Sequence, residues 1–465
     1  MFQIDFNHPG KVFFCGIGGI SMSGLAEILK SRGFHVCGSD RAESNLTRAL
    51  ETQGIPVAIG QCAENITEDI EVVIFTAAIH PDNPEYKRTM ELGIPSLTRA
   101  ELLGEIMRGY SASIAVAGTH GKTTTTSMIS EILMRAGCDP TVSVGGILDS
   151  IGGNVRIGGS DYMVAEACEY TNSFLSMTPW IGIILNIDAD HLDFFKDLAD
   201  IRHSFRLFAE RIPAGGALII SSDIPDLEEL TQGLSCRIIT FGSNAERSDY
   251  YPTGIRYDEN ARPSYTCCHT LAGIRTQQMV LGVPGEHNVM NSLAAVAAAD
   301  LLDIPRRETA SALAAFGGTK RRFEYKGTWN GVRVIDDYAH HPTEIRATLR
   351  AAQGLEHDRI FCVFQPHTYT RTKALLDEFA DALTLADVVI LADIYAARET
   401  DTLGVSSELL AQKIRALGHA DTHCFASFEE IIAFIRQNCR KGDVLITMGA
   451  GNVTEIGPRL ISSGD

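Results

Sequence analysis

No run in this chain approaches the roughly 18 consecutive apolar residues that a membrane-spanning helix needs, so no membrane span is expected. The N-terminal segment MFQIDFNHPGKVFFCGIGGI lacks the basic start of a secretory signal. Its apolar patch runs into Gly18-Gly19, which also argues against one. Cysteine pairs at C-x-x-C spacing are absent. The eleven cysteines are scattered and form no metal-like cluster, as fits free thiols in a reducing cytosol. Basic residues are in deficit, with 40 Lys and Arg against 58 Asp and Glu, and the formal net charge is -18. That balance disfavours nucleic-acid partners. It does not exclude small anionic substrates, because local donors hold these rather than the overall field. Internal repeats and low-complexity tracts are absent too. What remains is a 465-residue chain of globular composition, 45% hydrophobic and 21% charged, with room for several domains.

Apolar runs, Gly-rich turns and helical stretches alternate along the whole chain. KVFFCGIGG reads as a buried strand entering a glycine turn. ISMSGLAEILKSRG reads as a helix ending at Gly33, and FHVCGSD as a strand ending on Ser39-Asp40. The same order recurs in SIAVAGTHGKTTTTSMISEILMRAG. DYMVAEACE and IGIILNIDADH are further strands, each finishing on carboxylates or His, and NSLAAVAAADLLD is a long Ala-rich helix. VRVIDDYAHHP, RIFCVFQPH, VVILADIY and DVLITMGAG form a third set. This alternation predicts an α/β chain built from mainly parallel sheets with flanking helices. In such sheets ligands bind beyond the carboxyl ends of the strands.

The candidate residues lie at those ends. Gly16, Gly18, Gly19 and Ser21 approximate a G-x-G-x-x-G turn between strand and helix, and Asp40 ends the next strand where a ribose-binding acid is expected. The turn is either a diphosphate cradle or a tight structural turn. A second turn, Gly118-Thr119-His120-Gly121-Lys122-Thr123, resembles a phosphate-binding loop with shortened spacing, because Val116 stands where the usual first glycine belongs. It keeps the chemical parts: glycines for close backbone approach, a helix N-terminus, a lysine for phosphate charge and a threonine hydroxyl for Mg²⁺. Two strand tips in the same block offer metal-type ligands: Glu166 with Glu169 close behind, and Asp188, Asp190, His191 and Asp193. Asn288 and Asn291 share one face at a helix start, suited either to a base edge or to capping. Lys320-Arg321-Arg322 is either a solvated charge run or an arginine that closes over phosphate. Asp336, Asp337, Tyr338, His340, His341, His367 and Arg371 suggest a site for a small zwitterion, with Arg371 for its carboxylate.

Taken together, GTHGKTTTT, EACEYTNSFL, NIDADHLDFF, GEHNVMNSLAA, KRRFE, DDYAHHPTEI and FQPHTYTRT resemble, in order, the motifs of the Mur ligases of peptidoglycan synthesis. The resemblance covers nearly the whole chain. It implies a Rossmann-like domain for a UDP-sugar at residues 1–108, a P-loop ATPase domain at 109–319 and a Rossmann-like amino-acid domain at 320–465. It implies an ATP- and Mg²⁺-dependent amide ligase. Its partners would be UDP-N-acetylmuramate and L-alanine, with a peptide acceptor on the same sugar nucleotide as the alternative. A cytoplasmic monomer or weak homodimer is expected. By the same resemblance, Gly118, Thr119, His120, Gly121, Lys122, Thr123 and Thr124 would contact ATP. Thr123, Glu166 and His191 would bind Mg²⁺. Asn288 and Asn291 would sit by adenine, Asp337 by the ribose, and Arg322 would reach phosphate. Gly16, Gly18, Gly19, Ser21, Ser39 and Asp40 would hold the UDP part, and Tyr338, His340, His367 and Arg371 would lie near the amino acid. Lys122, Glu166, His191, Arg322, His340 and Arg371 form the expected catalytic set. Sister enzymes carry a carbamylated lysine past the metal histidine; here Arg206 offers none.

Overall fold

The computed structural model describes residues 2–76, 78–271, 275–397, 399–401, 403–419 and 421–462. Arg398, just past the VVILADIY stretch, lies outside them. Among the described residues the strands form three sheets.

The first sheet runs Val57–Ile59, His35–Asp40, Lys11–Cys15, Val72–Phe75, Ser96–Thr98, all parallel. Its chain reversal lies between Lys11–Cys15 and Val72–Phe75, so strand tips open a crevice beside the Gly16 turn. The second sheet has a parallel centre of Arg237–Phe241, Ala217–Ser221, Ile181–Ile184, Ala112–Ala117, Tyr162–Glu166 and Thr141–Leu148. Its central strands are apolar on both faces, as burial under helices on each side requires. Gly153–Arg156 extends one edge antiparallel; on the other, Tyr250–Tyr257 joins Arg237–Phe241 in parallel, and Pro263–His269 and Arg275–Val280 follow antiparallel. The third sheet is parallel through Val332–Asp337, Val444–Met448, Ile360–Phe364, Val388–Leu391 and Thr422–Cys424, with Glu324–Trp329 antiparallel at its edge.

The domains join in two different ways. One apolar core runs without a break from Ile4, Phe14 and Leu25 of the first sheet region through Ile106 and Tyr110 to Phe174, Phe205 and Phe208 of the second. The third region has cores of its own, and among the described residues only Ala261 from the second region enters them. Its remaining contacts with the centre are mostly polar.

The helix Ile20–Ser31 shows how tightly the first joint is packed. A Cβ on Gly24 would lie 2.2 Å from Val155 Cγ2 on the edge hairpin of the second sheet. Gly24→Val is therefore expected to destabilise the chain by about 1–3 kcal/mol, because the overpacked contact forces backbone movement. Urea denaturation measures it, and an unchanged midpoint would show that the two domains are not wedged together there.

Candidate active site

The phosphate-type turn follows the strand Ala112–Ala117 and opens the helix Lys122–Arg135. Gly121 adopts φ +84°, which an L side chain rarely adopts, and a Cβ there would meet Asn291 Oδ1 at 2.5 Å. Asn186 pins the turn from the adjacent strand tip. Its side-chain carbonyl accepts the His120 N–H at 2.8 Å, and its amide donates to His120 O at 3.0 Å. Gly121 caps the helix with no side-chain hydrogen bond, which leaves its first N–H groups open to an anion.

Lys122 folds back over this turn. Its Nζ donates to Gly118 O at 2.5 Å, to Thr119 O at 3.0 Å and to the Glu169 carboxylate at 3.0 and 3.1 Å. Burial works to lower its pKa, and the buried Glu169 carboxylate outweighs that, so the pKa is raised and the ammonium stays charged. Thr123 donates its hydroxyl to Glu166 at 2.5 Å. The strand Thr141–Leu148 passes so close that a Cβ on Gly145 would lie 2.0 Å from Glu166 Oε2. The pocket thus presents two hard oxygen donors side by side in a space only glycine leaves open, a donor set that suits Mg²⁺. His191, at φ +54°, stacks on Tyr170 with centroids 4.6 Å apart, and its Nε2 lies 4.0 Å from Glu169 rather than paired with Glu166. Among the described residues no three His, Cys, Asp or Glu side chains form a ready metal cluster.

A cavity of about 300 Å³ adjoins the turn, lined by His120, Gly121, Thr124, Asn288, Asn291, Arg322, Asp337 and Glu344. Asn288 does not cap its helix, which begins at His287; it donates to Pro284 O and accepts from Asn291. Asn291 packs on the phosphate turn itself. Burial raises the Asp337 pKa to about 6. Its oxygens already accept from Ala339 N, Phe323 N and the Thr348 hydroxyl, so a ribose hydroxyl would share a largely filled carboxylate.

The basic run at the junction is a solvated face only at its first residue, the exposed Lys320. Lys320 pairs with Asp149 and Glu324, and Arg321 bonds Asp336 and the Gly449 and Gly451 carbonyls. Only Arg322 faces the cavity. Arg321 and Phe323 on either side adopt φ of +60° and +47°, backbone strain that presents the side chain between them.

Three expectations change on the structure. Ser39 is fully buried and donates its hydroxyl to the buried Glu85, while its carbonyl accepts Gly16 N and Ile17 N; it builds the turn from inside and its side chain cannot reach a ligand. Asp40 closes the same turn by accepting Gly18 N at 2.9 Å. Gly19 caps the helix without a side-chain bond, leaving Ser21 exposed on its first turn. Tyr338 does not line the second cavity, because the Arg321 and Arg322 guanidinium groups cover its ring at 4.9 and 5.1 Å. Arg371 is not a free carboxylate receptor: its Nη2 and Nε bind Asp190 at 2.8 and 3.1 Å.

That second cavity, about 500 Å³, holds Asp190, His191, His367, Arg371 and Glu399. Arg371 Nη1 donates to His367 Nδ1 at 3.2 Å. Thr368 beside it is strained at φ +62°. His340 lies behind, 6.0 Å from His367, with Nδ1 donating to Tyr338 O. Burial lowers its pKa to about 4, so the ring is neutral at pH 7. Sequence reasoning assigns no role to Glu344 or Glu399, and it reads Asp190 only as one of the metal-type carboxylates beside His191, whereas the structure pairs it with Arg371. Arg206 is spent on Glu210 and on the carbonyls of Leu230 and Gln232.

Family models match along the chain: the Mur ligase family, catalytic domain at residues 11–111, the Mur ligase middle domain at 116–299, and the Mur ligase, glutamate ligase domain at 321–451. A relative from Lachnospira eligens, named UDP-N-acetylmuramate–L-alanine ligase, is 58% identical over 461 residues, covering 99% of this chain and all of its own. The chain belongs to the Mur ligase family. A relative of the same name from Agathobacter rectalis is 57% identical over the same span. Among solved structures, the UDP-N-acetylmuramate-alanine ligase of Thermotoga maritima superposes with a TM-score of 0.78 at 30% identity, over 98% of this chain and 99% of that one. A murein peptide ligase from Psychrobacter arcticus reaches 0.69 at 26% identity, over 98% of each. The Mur ligase fold thus accounts for the three sheets and for the order of the turns along them.

Proposed function

We propose that this chain joins L-alanine to the lactyl carboxylate of UDP-N-acetylmuramate, with cleavage of ATP to ADP and phosphate. The observation that carries the reading is the full-length identity to relatives of that activity, combined with a phosphate turn, a nucleotide-sized cavity and an acceptor cavity on adjoining strand tips. The lesser likeness to the murein peptide ligase leaves alanine as the acceptor.

A carboxylate is a poor electrophile. Its oxygen displaces ADP from the γ-phosphorus, and the resulting acyl phosphate carries a leaving group. The alanine amine then attacks the carbonyl carbon, the tetrahedral species loses phosphate, and the amine proton is released. Anions must meet in the first step, so catalysis consists of positioning and charge neutralisation. Lys122 supplies a cation already desolvated beside the turn, and the helix N-terminus adds its N–H groups. Arg322 approaches from the junction. Thr123, Glu166 and His191 would hold Mg²⁺, which screens phosphate charge when bound. The Gly16–Ser21 turn would take the UDP diphosphate. His340 and His367 are both neutral; His340 would accept a hydrogen bond through Nε2 and His367, whose Nδ1 already accepts from Arg371, would donate through Nε2, while Glu399 would face the alanine ammonium. Docking of the third domain keeps water from the acyl phosphate.

The test is phosphate release with Mg-ATP and UDP-N-acetylmuramate, with and without L-alanine. Release is expected only with all three. Release that ignores alanine but follows a peptide acceptor would reassign the second cavity, and none from folded, ATP-binding protein would end the ligase reading.

A further inference from the structure

Glu344 has no part in the chemistry above, yet Arg322 and His340, which do have one, converge on it together with His120 of the phosphate turn. It stands in the first turn of the helix Pro342–Gln353, where a carboxylate ordinarily complements the helix dipole from the solvent side. Here the side chain is only 13% exposed and turns into the nucleotide cavity. Its Oε1 lies 3.3 Å from His120 Nδ1 on the phosphate turn and 3.8 Å from Arg322 Nη1 at the junction. Its Oε2 accepts the His340 N–H at 3.1 Å and lies 3.4 Å from His340 Nδ1. Three regions of the site, from two domains, therefore meet at one carboxylate.

His120 is the partner whose state depends on it. The imidazole is held between Asp188 Oδ2, at 3.0 Å on its other nitrogen, and Glu344, and its ring packs 4.7 Å from His341. Those are the titratable groups that face it: Asp188 from the central domain, Glu344 and His341 from the third. Burial works to lower its pKa, and the two carboxylates outweigh it, lifting the value to about 9. An imidazolium thus stands in the turn that takes the phosphates, and half of what keeps it so arrives with the third domain.

We propose that Glu344 is a positioning residue for phosphoryl transfer, holding His120 of the phosphate turn and bracing Arg322 so that the cationic lining is complete only when the third domain is docked. The inference rests on the ligase reading. It makes His120 a cation that domain docking switches on, rather than a fixed part of the loop.

The test compares Glu344→Gln, Glu344→Asp and His120→Gln in the full chain. His120 is titrated by NMR in the nucleotide-free protein, and kcat and KM for ATP are followed across pH. In Glu344→Gln the His120 titration is expected to fall by about one pH unit or more. The alkaline limb of kcat should move with it, so that kcat near pH 8 drops about twofold for a fall of one unit and about tenfold for a fall of two, while KM for ATP changes less than about threefold. Glu344→Asp should recover part of both. His120→Gln should lack the alkaline limb and make a further Glu344→Gln change silent. An unmoved His120 titration, or a kcat loss equal at every pH and equal for Asp and Gln, would reduce Glu344 to a docking contact and overturn the proposal. If Glu344→Gln does not fold, His120→Gln decides: a retained alkaline limb overturns it. Wild-type protein that releases no phosphate with all three substrates would instead remove the ligase reading, and this inference with it.

Discussion

Lys122→Ala is expected to lower kcat for phosphate release by about 10²–10³-fold, the loss that follows removal of one preorganised charge donor from a transition state. The same change has a second effect that is easily mistaken for the first. Lys122 neutralises Glu169, whose side chain is only 3% exposed. Removing the lysine leaves that carboxylate buried and unpaired, which costs about 3–5 kcal/mol of stability. The double variant Lys122→Ala, Glu169→Gln separates the two. It should regain most of the lost melting temperature, since no bare charge remains, while turnover stays low. Recovery of turnover in the double variant would mean that Lys122 serves only to hold Glu169.

Arg371→Ala carries the second large effect. Arg371 and Asp190 are 12% and 8% exposed and belong to different domains. Loss of the guanidinium leaves Asp190 without its partner, again worth about 3–5 kcal/mol if the interface stays closed. The third domain has little apolar contact to hold it there, so it is expected to swing away and let water reach Asp190. Solution scattering should then show a larger radius of gyration, and KM for alanine should rise. An unchanged scattering profile with unchanged KM would show that docking does not depend on this pair. The pH dependence has a definite sign. Burial opposes ionisation of Asp190, but Arg371 and the neighbouring histidines depress its pKa. Its contribution is therefore present above the unfolded value near 3.8 and is lost as pH falls below it. His120 acts oppositely. Its raised pKa gives a contribution that is full below 6.5 and is lost as pH rises through about 9. Docking should be firmest between these limits.

The parallel α/β plan and the phosphate turn were legible because their signals are local. A buried strand, a glycine turn and a helix lie within one stretch at Ala112–Arg135, and again at Lys11–Ser31. The edge strands Tyr250–Tyr257 and Pro263–His269 each lead into another strand and not through a glycine turn into a helix, so the strand–turn–helix signal passes over them. Ser39 was misplaced because both faces of a parallel strand are buried, so alternation does not say which side chains reach a ligand. Arg371 and Asp190 are 181 residues apart, and nothing in either neighbourhood announces the other. A lone acid after His-Pro-Thr, such as Glu344, looks like an ordinary first-turn residue. Its inward turn is a property of the assembled interface. The corrections thus gather where residues from distant stretches meet.

The unbroken apolar core between the first two domains sets a length. The Gly16 and Gly118 turns are carried on one body, so the span between them cannot flex to suit its occupant. A molecule that reaches from one turn to the other is measured against a fixed gauge, and one too short or too long fails whatever its end groups. The third domain, held by ion pairs, is free of that constraint. The second cavity has one wall from that lobe, at His367, Arg371 and Glu399, and one from the central domain, at Asp190 and His191, so its width follows the docking of the lobe while the gauge stays as it is.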